Sequence, residues 1–164
     1  MSTLNLDGIK DGIKNILDAN NTITSGGLSF GLTEKVKKVL QVNPYRIPIE
    51  APLYPCVTMY LDGKEIRELT MNKSQANGRR LAELDIKIVG IVWDSTIPDP
   101  ALDKASEGVE KLMENIEEIL RSDPTLSGTS SWSFPTDVTY HTLPLDEEHA
   151  LRAGIMNYRV KAHY

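Results

Sequence analysis

Between positions 80 and 93 apolar and polar side chains alternate with a period of two. Ala82, Leu84, Ile86, Ile88 and Val92 share one face with Gly90, and Glu83, Asp85 and Lys87 share the other. That second face turns apolar at Val89, Ile91 and Trp93. Alternation of this kind predicts a strand. At about 3.3 Å per residue it would run roughly 45 Å, longer than most compact domains need. A second long strand is predicted over 151–164, with Leu151, Ala153, Ile155, Asn157, Arg159 and Lys161 set against Arg152, Gly154, Met156, Tyr158, Val160 and Ala162. Shorter strands are predicted at 56–61 and 137–143, both rich in β-branched and aromatic residues. Asp62-Gly63 is a two-residue hairpin signal, so 64–70 is expected to return beside 56–61.

The period changes to 3.6 in two places. Leu4, Leu6, Ile9, Ile13, Ile16 and Leu17 predict a helix over 3–19, weakened by Gly8 and Gly12 and stopped at Asn20-Asn21. Leu102, Ala105, Val109, Leu112, Met113, Ile116, Ile119 and Leu120 predict a longer one over about 100–121, with Asp99 as N-cap, Pro100 at its first position and Ser122-Asp123-Pro124 as its stop. Its polar face carries Glu107, Glu110, Glu114, Glu117 and Glu118. Between these elements lie loops by composition at 20–34, 71–79 and 122–135, the last holding Trp132 and Phe134. Pro44, Pro48, Pro52 and Pro55 are expected to keep 44–55 extended and away from a central sheet position. Strands outnumber helices, and only one helix joins the strands at 80–93 and 137–143. The expected fold is α+β, a mostly antiparallel sheet with one or two long helices packed on one face, forming a single domain over 1–164 with flexible loops near 20–34, 71–79 and 122–135.

The length of 164 residues, with 40% hydrophobic and 25% charged residues, describes a globular chain able to bury its own core. No stretch approaches the ~20 apolar residues of a membrane span. The start of the sequence lacks the basic-then-apolar order of a signal peptide, so a soluble protein in cytoplasm-like conditions is expected. Lys and Arg number 18 and Asp and Glu 23, a net charge of −5, which disfavours a general nucleic-acid binder. The charge is uneven: residues 1–94 hold 12 basic and 11 acidic side chains, and residues 95–164 hold 6 and 12. This asymmetry either orients partners or marks the solvated face of the Glu-rich helix.

Reactive constellations are scarce. His141, His149 and His163 lack the close spacing of a zinc site, and the single Cys56 opens an apolar strand, as a buried structural cysteine does. Gly26-Gly27 and Gly31 do not make a dinucleotide fingerprint. There is no Walker loop, calcium loop or Gly-x-Ser-x-Gly elbow. No catalytic residue, metal or cofactor is expected. What remains suggests interaction. Long strands either extend to meet a neighbour's sheet or curve within one monomer, and long polar loops either bind something or lie plainly on the surface.

Three segments in this order resemble the tail-terminator (tail-completion, head–tail joining) proteins of tailed bacteriophages. They are the strand Arg80-Leu-Ala-Glu-Leu-Asp-Ile-Lys-Ile-Val-Gly-Ile-Val-Trp93, the helix from Ala101 to Leu120, and the closing strand from Arg152 to Tyr164. The opening helix, with Ile13-Lys14-Asn15-Ile16-Leu17, fits the same pattern. The resemblance lies in order of elements and carries no signature residues. It implies a non-enzymatic virion protein, assembled in the cytoplasm of a bacterial host and located at the tail or neck. It implies a homo-oligomeric ring, usually a hexamer, that caps the tail tube or sheath, ends polymerisation and meets a neck or head-completion protein while genomic DNA passes through the lumen. No membrane is involved. Candidate subunit or partner contacts are Lys73 in a loop and Arg79 and Arg80 at a strand entry. Glu83, Asp85 and Lys87 join them from the polar strand face, and Glu114 and Glu118 from the acidic helix. Arg152, Arg159 and Lys161 complete the set from the last strand. Rival readings are another neck adaptor, stopper or minor tail protein, or a small hydrolase with His141 or His149 set near Asp146 or Glu147 in a concave pocket.

Overall fold

A computed structural model describes residues 4–21, 36–68, 80–95 and 104–164. The protein is α+β. Helices α1 (Leu6–Asn21) and α2 (Lys104–Ser122) pack on one face of a five-stranded sheet formed by β1 (Lys38–Leu40), β2 (Cys56–Glu68), β3 (Arg80–Asp94), β4 (Trp132–Pro144) and β5 (Ala150–His163). The strand order is β1-β2-β3-β5-β4. Every neighbouring pair is antiparallel except β1 with β2.

The two-faced pattern of 80–93 accounts for this architecture. Ala82, Leu84, Ile86, Ile88 and Val92 enter a core beneath the helices, where Met156, Tyr158, Val160 and Ala162 of β5 join them. The helices contribute their apolar stripes, Ile9, Ile13 and Leu17 from α1 and Val109, Leu112, Met113, Ile116 and Leu120 from α2. Each such side chain, fully buried, contributes about 1.5–3 kcal/mol by removing apolar area from water. Asn5 caps α1, its side-chain oxygen accepting from the Gly8 amide at 2.9 Å. The opposite face of the sheet is divided. Val89 and Ile91 of β3, with Cys56 and Leu151, form a second, smaller core covered by Ile47 and Tyr54. The rest of that face is mainly polar, with Leu81, Trp132 and Phe134 among its charged side chains.

Four expectations require correction. Asp62-Gly63 does not turn the chain: β2 continues through it as one strand, and Asp62 is the extra residue of a bulge between Leu61 and Gly63. The unbroken partner β3 supplies ladder positions on both sides, so a bulge costs less than ending the strand. The hairpin lies instead between β2 and β3. The stretch 44–55 is not simply extended, since Pro44–Arg46 and Ala51–Leu53 each form one turn of 3-10 helix. This segment folds over the small core, and the Tyr54 hydroxyl donates to the Pro48 carbonyl at 3.1 Å. The loop at 122–135 gives up its last residues to β4, which begins at Trp132, and Leu126 within it is fully buried. The return strand expected over 64–70 beside 56–61 is therefore absent as such, its described part being the second half of β2. The expected loops at 20–34 and 71–79 and the Asp99 cap with Pro100 lie outside the described residues, apart from the helical end of α1.

Candidate functional site: an open sheet face and two sheet edges

Cross-strand neighbours in the antiparallel part of the sheet share a face. The open face therefore carries rows of facing side chains. Glu83 pairs with Glu65 on β2 and with Lys161 on β5, and in the next rows Asp85 stands opposite Arg159 and Lys87 opposite Asn157. Bases stand among the acids of these rows, although Glu65 and Glu83 face each other directly. Arg67 reaches Glu65 at 3.1 Å and Glu83 at 3.9 Å. Lys161 lies 3.5 Å from the same Glu83, whose side chain is only 11% exposed. Arg159 meets Asp85 at 3.0 Å. Lys87 lies 3.6 Å from Asp62, the bulge residue, and donates to the side chain of Asn157. Asn157 in turn donates to Asp137 of β4 at 2.6 Å. That hydrogen bond is the main reason the Asp137 carboxyl is held below its usual range, with Thr136 and the Lys87 charge adding to it. Exposed pairs of this type contribute little stability one by one, 0–1 kcal/mol as an order of magnitude. Their combined effect is a face on which acid and base are matched. Trp132 at the rim of this face is 53% exposed.

Five of the expected contact residues, Glu83, Asp85, Lys87, Arg159 and Lys161, thus come together in one ladder. Arg80 is exposed at the start of β3, where its backbone exchanges two 3.0 Å hydrogen bonds with Tyr164. Glu114 and Glu118 are exposed on α2, on the other side of the sheet. Arg152 is also on the helix side, committed to Asp94 at 2.9 Å and to the Thr142 hydroxyl at 2.5 Å. Lys73 and Arg79 lie outside the described residues. Asp62, Asp137 and Asn157 are ladder members that the sequence pattern alone did not single out. The alternation of 80–93 set against that of 151–164 was the signal that would have found Asn157.

Of the groups that could serve catalysis, His149 and Asp146 come together, as the hydrolase reading expects. His149 contacts Asp146 through Nδ1 at 2.9 Å, and the Asp146 carboxylate also accepts the backbone amides of Glu148 and His149 at 2.8 and 2.7 Å. The carboxylate thereby shapes the β4–β5 connection, and those bonds, the Glu148 amide first, lower its pKa. The His149 ring lies against Trp93 with centroids 5.4 Å apart and the planes tilted by 50°. His163 contacts the Ser131 hydroxyl at 2.8 Å, and His141 is exposed on β4. Cys56 is 1% exposed, and burial pushes its thiol up to about 12, the opposite of an activated nucleophile. Among the described residues no cluster of three or more His, Cys, Asp or Glu side chains could hold a metal ion, and no helix is long and apolar enough to cross a membrane.

The backbone supplies the other feature. β1 pairs only with Cys56–Thr58, so β2 from Met59 onward has β3 on one side and, among the described residues, no strand on the other. β4 is likewise the last strand of the sheet, paired with β5 alone. Among the described residues the sheet therefore has two long edges without a further strand, one at each side.

The chain matches no family model, and it has no significant match among curated proteins.

Proposed function

We propose that this protein is a structural subunit of a tailed-phage virion, a tail terminator that closes into a ring on the tail tube or sheath, ends its polymerisation and presents a docking face to the neck. One observation carries this reading: among the described residues, a single sheet with a long unpaired edge at each side and both helices on one face. Free edges are templates for pairing with another chain. Two different edges on one subunit make a head-to-tail contact, which gives a ring when the rotation closes. The order of elements, helix, two long antiparallel strands, long helix and two closing strands, supports the same reading through its resemblance to tail terminators. The matched charges of the open face suit a wall beside moving DNA, because a surface without a basic excess has no strong hold on phosphates.

The test is native mass spectrometry of the purified chain at tens of micromolar across a salt series, with particle imaging of any assembly. A discrete closed oligomer near six copies, weakened by salt where rim charges contribute, is the expected result. A strict monomer at every salt concentration turns the assignment to a neck adaptor or stopper.

A further inference from the structure

The two free edges differ in chemistry. Natural edge strands are guarded by lysines, prolines, bulges or inward charges. β4 carries its bulge between Pro135 and Asp137, and beyond Asp137 the run Val138-Thr-Tyr-His-Thr-Leu143 has neither proline nor formal charge. Within it Tyr140 is 47% and Leu143 53% exposed. Tyr140 lies on the helix side, over Gly154. Burial, followed by the nearby carboxylates Glu110, Glu114 and Glu117 of α2, raises its hydroxyl pKa, so an acidic ridge borders this edge. On the β2 edge Leu61 is 37% and Ile66 51% exposed. Both lie on the helix side with exposed Lys64 between them, since their partners on β3 are Ile86, Ala82 and Leu84. On the helix side one edge thus offers apolar and aromatic side chains beside acid, and the other offers apolar side chains around a base, while the open side of the β2 edge carries Asp62, Glu65 and Arg67.

We propose that, in the ring, the β2 edge of one copy pairs antiparallel with β4 of the next, with Lys64 opposite Tyr140, Ile66 opposite Val138 and Arg67 opposite Asp137. The inference rests on the ring reading and deepens it. The occupant is a second copy of this chain because each edge finds its complement on the other side of the same sheet. Pairing β4 with β4 across a two-fold axis would instead bring two acidic ridges together, which like charge opposes. The direction follows from topology: β2, β3, β5 and β4 alternate, so β2 and β4 run opposite ways. Rotation about an axis along the strands keeps that relation between copies. The register follows from β1, which covers β2 as far as Thr58. With Pro144 of β4 set against Met59, the first uncovered residue, Leu143 meets Tyr60. Past the Asp62 bulge, Lys64 then meets Tyr140. All of these pairs fall on matching faces: Lys64, Ile66, Tyr140 and Val138 on the helix side, Tyr60, Arg67, Leu143 and Asp137 on the open side.

The experiment is disulfide trapping in the full chain. Cys56 is buried and does not compete. The double variant Lys64→Cys/Tyr140→Cys, and independently Tyr60→Cys/Leu143→Cys, oxidised with copper–phenanthroline, is expected to give a ladder of covalent multimers up to the ring size, with none from either single variant. Arg67→Glu is expected to raise the concentration for half-assembly at least tenfold, and Asp137→Arg in the same chain to restore it. A closed oligomer by native mass spectrometry without either disulfide ladder overturns the edge pairing and leaves the ring intact. Covalent dimers from Tyr140→Cys alone overturn it in favour of a two-fold contact. A chain that is monomeric throughout and yields no disulfide-linked species overturns both the pairing and the ring.

Discussion

Gly90 and Gly154 are direct partners across β3 and β5, and Met113 of α2 lies over both. A Cβ on Gly154 would stand 2.4 Å from Met113 Cγ and 3.2 Å from the Tyr140 ring, and one on Gly90 would stand 2.6 Å from Leu112 Cδ2. The two glycines open a seat in the sheet that sets how closely α2 approaches. Gly154→Ala is expected to cost about 1–3 kcal/mol, the range for overpacking a filled core. The measurement is a urea titration, in which the midpoint falls and the slope is unchanged. Met113→Ala in the same chain should relieve part of the clash, so the double-mutant cycle shows less than the summed losses. A fully additive cycle contradicts the close seat.

Arg152 was expected among the outward contacts, yet its guanidinium is engaged within the subunit by Asp94, a carboxylate only 1% exposed. Removing the guanidinium takes an ion pair from a buried carboxylate, a loss on the order of 3 kcal/mol. Arg152→Met is therefore expected to lower the thermal midpoint of the isolated chain. Arg159→Met, at an exposed pair with Asp85, should change it by less than about 1 kcal/mol. Equal stability losses in the two variants would contradict this ranking.

The parts of this fold legible in the sequence are those fixed by local periodicity. The stripe of α2 from Ala105 onward, the two faces of 80–93 and the alternation of 151–164 all stand in the structure, the last with Met156, Tyr158, Val160 and Ala162 turned to the helices. What failed depended on distant partners. Asp62-Gly63 has the composition of a hairpin turn, and only the uninterrupted ladder with β3 makes it a bulge. Trp132–Pro135 reads as loop by its Ser and Pro, and becomes strand because residues 158–161 of β5 pair with it. The candidate contacts divide in the same way. The polar face of β3 was visible as a pattern, whereas its matching by Asp62, Asp137 and Asn157 needed the register, and register is a property of pairs of strands. The insertion of β5 between β3 and β4 has no local signal at all.

The proposed ring gives Arg79 and Arg80 a part in assembly, which a charge reversal tests. Arg80 is exposed, and its structural role is carried by backbone bonds to Tyr164 that any residue but proline would keep. Arg79→Glu/Arg80→Glu is expected to impair ring formation or tail docking, with circular dichroism and the urea midpoint of the monomer essentially unchanged. Normal assembly of this double variant would remove the two arginines from the interface.

The turn after α2 depends on one carboxylate. Leu126, Ser127 and Gly128 adopt φ values of 50°, 57° and 87°. Asp123 holds this left-handed run by accepting the amides of Thr125 and Ser127 at 3.2 and 2.8 Å, together with both hydroxyls. Desolvation alone would raise the Asp123 pKa, but the hydrogen bonds from Thr125 and Ser127 together outweigh it and the net shift is downward. A depressed pKa means that the contribution is present above the ordinary value of about 3.9 and is lost as pH falls through the folded one. Asp123→Ala is expected to cost about 1 kcal/mol near pH 7, the net worth of such bonds. The difference from the parent should shrink as pH falls below the ordinary carboxylate value and vanish once the carboxyl is protonated in the folded state as well. A difference independent of pH would place the effect in the backbone and not in the charge.

Cys56 supplies the complementary alkaline prediction. Its thiol sits in the small core beside Tyr54, Val89, Ile91 and Leu151, and burial raises it to about 12, well above the ordinary value of about 8.5. A raised pKa reverses the sign: stability is fully present below the unfolded value and declines as pH rises through the folded one, because the unfolded chain releases the proton first. Tyr158, buried and bonded to the Ser133 hydroxyl at 2.6 Å, is likewise raised to about 12, chiefly by burial, and adds to the same limb from about pH 10 upward. Stability should therefore fall with increasing pH above about 9. At pH 8 the thiol of the native chain should be unreactive toward a thiol-specific reagent, and its labelling should proceed at the rate of unfolding across a urea series. Fast labelling in native conditions would mean that the 44–55 segment opens from the sheet independently of the rest, and would separate the stability of the small core from that of the large one.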